Sequence, residues 1–142
     1  MYQALVHVHS ILRWIVLILI IVNILNALGG FGGNKVVVSG DKKLSLCALI
    51  STHLQVLIGL SLYAISPKVQ FTAETMSNAT SRFFTMEHTV MMLIAVVLIT
   101  IGHRAVKSGS FKKEFWYYLI ALVIILAGIP WPFRMMLGGH WF

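Results

Sequence analysis

The chain has 142 residues, 58% of them hydrophobic and only 11% charged, with a mean hydropathy of +0.88 and a formal charge of +7. An ordinary soluble domain carries roughly a quarter charged residues, so the composition excludes that class and predicts an integral membrane protein. One domain over residues 1–142 is expected, long enough for four spans of about 20 residues and too short for a soluble domain besides.

Residues 3–28 form the first predicted span. The stretch lacks the basic n-region of a signal peptide, and its apolar run exceeds a typical h-region. Helical spacing puts His9, Arg13, Val16, Ile20, Asn23 and Ala27 on one face and turns His7 about 160° away. The Gly-rich run from Gly29 to Lys35 ends this span. The second span covers about 44–65 and stops before Pro67, with two candidate interior faces. One is a small polar stripe of Ser45, Thr52, Gln55, Gly59, Tyr63 and Ser66; the other sets His53 among Leu46, Leu49, Leu57 and Leu60. The lone Cys47 permits no internal disulfide and reads as a small buried hydrophobe.

A polar loop with Pro67 and an Asn78-Ala79-Thr80 tripeptide leads to the third span, about 82–104, which holds Glu87 and His88 near one end. His88 shares a face with Ser81, Phe84, Thr85, Met91, Met92, Ala95, Ile99 and Gly102. A buried ionisable pair in a membrane span costs several kcal/mol unless matched, so Glu87 and His88 mark a candidate functional site. The fourth span, about 114–130, opens with an interfacial Trp116, Tyr117, Tyr118 cluster and is broken by Pro130-Trp131-Pro132-Phe133-Arg134. His103 lies at a span end and His140 in the C-terminal tail, where solvated roles are expected.

The two loops joining spans one to two and three to four carry seven of the eleven Lys and Arg residues: Lys35, Lys42, Lys43, Arg104, Lys107, Lys112 and Lys113. Positive loops stay in the cytoplasm, so both termini are expected on the periplasmic side of a bacterial inner membrane. Nucleic acid is not expected as a partner, because topology and lipid headgroups account for this charge. Short loops between antiparallel spans predict an all-α, up-and-down four-helix bundle.

Depth singles out two histidines. At a rise of about 1.5 Å per residue, His9 and His88 both sit roughly 8 Å below the outer hydrocarbon boundary, while His53 lies roughly 10 Å deeper. Spans one and three are diagonal partners in such a bundle, and two imidazoles at one level match the axial positions of a b-type haem. His53 then flanks the porphyrin, replaces a ligand or serves a second site. Haem propionates need cations or hydrogen-bond donors, for which Arg13, Arg82, Arg134, Tyr63 and Trp131 are the candidates at that level; for Arg13, Glu87 is the carboxylate within the spans and a propionate the second partner. Gly59 and Ala95 leave room for a flat cofactor, and Met91 and Met92 read as packing that is also chemically capable of ligation.

The runs His7 to Trp14, His53-Leu54-Gln55 with Gly59 to Tyr63, Arg82 to Met92, and Trp131 to Arg134 resemble the small four-span bacterial membrane proteins, common in the Bacteroidetes, that are labelled cytochrome b. There is a looser similarity to copper-resistance membrane proteins. The first resemblance implies haem b, with His9, His53 and His88 as the histidines to test and Arg13 and Arg134 as propionate partners; the unequal depth of His53 and His103 favours one haem over two. It further implies electron transfer to or from a quinol or a partner redox protein rather than bond-making catalysis. The second implies a haem-free transporter or channel for a soft metal such as copper. A third reading is an accessory subunit of a larger membrane complex.

Overall fold

A computed structural model describes residues 1–139 and 141. Four long helices form the protein: α1 (Tyr2–Gly29), α2 (Ser39–Ile65), α3 (Ala79–Lys107) and α4 (Phe111–Gly128), followed by a 3-10 turn at Met135–Leu137. Three helices start or stop two to five residues beyond or short of the apolar runs, because the residues that cap them lie outside those runs. Asp41 reaches back to accept the Val38 amide at 2.9 Å, which starts α2 ahead of its hydrophobic stretch. Asn78 accepts from the Ser81 amide at 3.0 Å and Ser110 from the Lys113 amide at 3.3 Å, giving α3 and α4 their first turns. α2 ends at Ile65 because Ser66 precedes Pro67 and is held extended.

Within α3 the segment Phe83–Glu87 widens to π-helical spacing, and the Thr89 hydroxyl donates to the Phe84 carbonyl five residues back, at 3.1 Å. Such bulges shift the register of the following helix and occur often beside functional residues. This one ends where His88 begins.

α1 packs against α2 and α4, and α3 against the same two helices. The arrangement is therefore an up-and-down square with α1 diagonal to α3, as the loop lengths predicted. The halves of the bundle differ. Toward the basic loops the core is closed by Ile20, Ile24, Ile99, Tyr118 and Ala121. Toward the termini the helices part around a cavity.

Lys35 links the two basic loops: its Nζ donates to Asn26 at 2.6 Å, pairs with Asp41 at 3.3 Å and lies 4.7 Å from the centre of the Phe111 ring. Burial works to raise the Asp41 carboxyl, but hydrogen bonds from the Val38 amide, Asn26 and Lys35 outweigh it and hold it below the usual range.

The outer surface is apolar on every helix, with Ile18, Leu25, Leu57, Val97 and Val123 all more than half exposed. α1, α2 and α3 are each long and apolar enough to cross a membrane. α4 has 18 residues and carries Lys112, Lys113 and Glu114 in its first turn, so its apolar part is shorter.

Packing also decides which face of α2 turns inward. The polar stripe is buried at Ser45 and Thr52 and partly buried at Gln55, Gly59 and Tyr63, whereas Cys47 and His53 are exposed on the opposite side. The expectation of a buried Cys47 is thereby corrected.

Candidate functional site

Both prolines that end α4 leave a carbonyl without its usual backbone donor, because proline has no N–H to offer the residue four positions earlier. Pro130 would have served Leu126, and Pro132 would have served Gly128. The Leu126 oxygen instead accepts from the Trp131 indole Nε1 at 2.8 Å, and the Gly128 oxygen accepts from His88 Nδ1 at 2.7 Å. Arg134 donates to the Ala127 oxygen at 3.2 Å, placing a cation at the helix C-terminus, where the dipole favours it. The Pro-Trp-Pro-Phe-Arg motif is thus the C-terminal cap of α4, and His88 is part of the same device.

With Nδ1–H given to a carbonyl, the His88 nitrogen with a free lone pair is Nε2. A ring fixed in this way is the usual second-sphere arrangement of a metal-binding histidine. Its neighbour across the bundle is His9, with ring centres 6.4 Å apart and planes at 68°. Two imidazoles joined by a direct hydrogen bond have centres about 5 Å apart, from an N···N distance near 3 Å. Two that bind one metal atom from opposite sides, at about 2 Å each, have centres about 6 Å apart. The observed spacing and angle are those of an edge-to-face ring pair, and the spacing is also close to the second case.

His9 is positioned by α1 and by α2. Gln55 Nε2 donates to the His9 carbonyl at 3.0 Å, and a Cβ on Gly59 would stand 3.3 Å from His9 Cε1, so α2 comes close enough that a side chain at residue 59 would press on the ring. Among the described residues, His9 Nδ1 and Gln55 Oε1 are buried without a hydrogen-bond partner.

These side chains face a cavity of about 210 Å³ whose walls include Arg13, Gly59, Tyr63, Met92 and Ala95 as well as the two imidazoles. Arg13 Nη2 also donates to the Trp141 carbonyl at 2.6 Å, as Trp14 Nε1 does at 3.0 Å, so the C-terminal tail lies against the mouth. Tyr63 donates to the Thr85 carbonyl at 3.1 Å, which ties α2 to the π-helical segment.

Of the residues singled out in the sequence, His9, His88, Arg13 and Tyr63 meet at this cavity, and His53, Arg134 and Trp131 do not. His53 points outward from α2, its Nδ1 donating to the Leu49 carbonyl at 2.8 Å, because the polar stripe took the inward face. Arg134 is exposed, with its guanidinium 5.5 Å from the centre of the Phe83 ring; the end of α4 occupies it and Trp131. Glu87 is not buried: its side chain is 44% exposed and pairs with Arg82 at 2.8 Å. Five residues set two side chains on different faces of an α-helix but nearly one face of a π-helix, so the bulge explains both the pair and its outward direction. His140 lies outside the described residues.

Sequence reading missed two groups. Glu114 is fully buried, and among the described residues neither carboxyl oxygen has a hydrogen-bond partner. It follows two lysines and looks like part of a charged cap, yet the spacing Phe111, Glu114, Tyr118, Ala121, Ile125 puts it on the buried face. Lys68, in the loop after α2, lines the cavity; nothing in the local sequence marks it.

Among the described residues no three His, Cys, Asp or Glu side chains converge. Comparison of the chain with protein-family models, curated proteins and solved structures gives no match.

Proposed function

We propose that the protein is an integral membrane electron carrier that holds one haem b between His9 and His88. The observation that carries this reading is the pair of imidazoles with ring centres 6.4 Å apart on the wall of one cavity, in a bundle whose outside is apolar on all four sides. The small walls at Gly59 and Ala95, the anchored His88 tautomer and the Arg13 guanidinium on the cavity wall fit such a group. One feature counts against it: the enclosed space of about 210 Å³ is below the roughly 300 Å³ at which ligand sites usually begin, so seating a macrocycle needs the walls to widen. Bound there, haem would supply a one-electron couple whose potential is set by its axial ligands and burial.

In this reading all four helices cross a bacterial inner membrane. Lys35, Lys42, Lys43, Arg104, Lys107, Lys112 and Lys113 lie on the cytoplasmic side, with the cavity and both termini toward the periplasm. The redox partner is a quinol in the lipid phase or another redox protein.

Met92 and the small cavity favour a second reading. A bare soft ion such as copper fits that volume without any widening, and two imidazoles with a thioether are ligands it accepts. A reduced-minus-oxidised visible spectrum of the purified protein separates the two. A Soret band with sharp α and β bands that disappear in His9→Ala and His88→Ala supports haem; a protein that takes up no haem and binds copper through the same residues overturns it.

A further inference from the structure

Lys68 brings a cation to the cavity mouth. Pro67 ends α2, and the Lys68 amide then donates to Ser66 Oγ at 3.2 Å while the Val69 amide donates to the Ser66 carbonyl at 3.2 Å. This turn brings Lys68 back over the opening. Its side chain crosses the Phe84 ring, with Nζ 4.8 Å from the ring centre and 3.6 Å from where a Cβ on Gly138 would stand. Among the described residues Nζ makes no ion pair and no hydrogen bond.

The four carboxylate side chains of the chain are all elsewhere. Asp41 holds Lys35, Glu87 holds Arg82, Glu114 is buried near the basic end, and Glu74 does not line the cavity. An ammonium over an aromatic face at the rim of an apolar cavity, with no acidic side chain on the cavity wall, favours a ligand that brings its own negative charge.

We propose that Lys68 anchors a carboxylate of the molecule held between His9 and His88. The assignment rests on the haem reading above, in which the carboxylate is a propionate, and it gives to Lys68 the role that the sequence suggested for Arg134.

The test is a titration of the purified protein in detergent with haem b and, separately, with haem b dimethyl ester, whose two carboxylates are masked. The wild-type protein is expected to bind the free acid about five- to tenfold more tightly than the ester, the size of one net hydrogen bond at a partly exposed rim. Lys68→Gln should lose that preference, binding haem b about five- to tenfold more weakly and the ester unchanged, while Lys68→Arg keeps it. Equal binding of haem b by the wild type and Lys68→Gln overturns the role of Lys68 and leaves the haem reading standing. A wild-type protein that binds neither compound overturns the haem reading, and the assignment with it. Circular dichroism of each variant checks that the bundle is intact.

Discussion

His88 and Gly128 are joined, forty positions apart in the chain, by a 2.7 Å hydrogen bond in which the imidazole donates to a carbonyl left free at the end of α4. His9, at the same level, has a buried Nδ1 with no such partner among the described residues. The two histidines should therefore differ in what they give to stability. Removing His88 leaves the Gly128 oxygen unsatisfied, a loss of about 1–3 kcal/mol. Removing His9 orphans no partner among the described residues, so in protein purified without added ligand His9→Ala should melt close to the wild type and His88→Ala several degrees lower. Equal melting of the two variants in detergent would count against the bond.

Glu114 presents the opposite situation, a buried polar group whose oxygens have no partner among the described residues. Such a group is costly unless paired, and an apolar residue of similar size removes the cost. Glu114→Leu should stabilise the protein by about 1–3 kcal/mol, seen as a higher thermal midpoint. Glu114→Gln should do less, because an amide needs partners too. A lower midpoint for the leucine variant would mean that the carboxyl is satisfied by a group such as bound water.

Asp41 sets the response to acid. It lies in the first turn of α2, ahead of the apolar stretch that begins at Leu44, and its three hydrogen bonds hold it below the ordinary carboxyl value. A folded value below the unfolded one stabilises the protein above the ordinary range, and that contribution is lost as the pH falls through the folded value. Chemical denaturation at a series of pH values should show wild-type stability declining on the acid side. Asp41→Asn should be less stable near neutral pH and flatter over the same window.

Close helix contact is tested at Gly102. A Cβ there would stand 2.6 Å from the Tyr118 ring, which is fully buried, so Gly102→Ala should cost about 1–3 kcal/mol through overpacking. Gly40, in the first turn of α2, has nothing within 4 Å of the place an added methyl would take. Gly40→Ala should be neutral or stabilising by up to about 1 kcal/mol, and the pair of thermal midpoints separates packing from backbone effects.

Much of this arrangement is legible in the residue order. Hydrophobic runs of about 20 residues locate the four helices, and the 3.6-residue period correctly turns His9 inward and His7 outward. The depth comparison that brings His9 and His88 to one level needs only the rise per residue. What is not legible depends on neighbours. α2 offers two plausible inward faces, and only the presence of α1, with Gln55 reaching the His9 backbone, selects the polar one. The π-helical turn that pairs Arg82 with Glu87 has no sequence marker. The donors of Trp131 and Arg134 look available until the end of α4 is seen to leave the Leu126 and Ala127 carbonyls within their reach.

The unequal halves of the bundle bear on traffic through it. Below the two imidazoles, Ile20, Ile99, Tyr118 and Ala121 meet without exposed surface, so the chamber is a vestibule with a sealed floor. An ion that entered from the terminal side would have to leave by the door it came through. Passage to the basic side would require these four side chains to part, whereas an electron, which tunnels through packed matter, needs no opening at all.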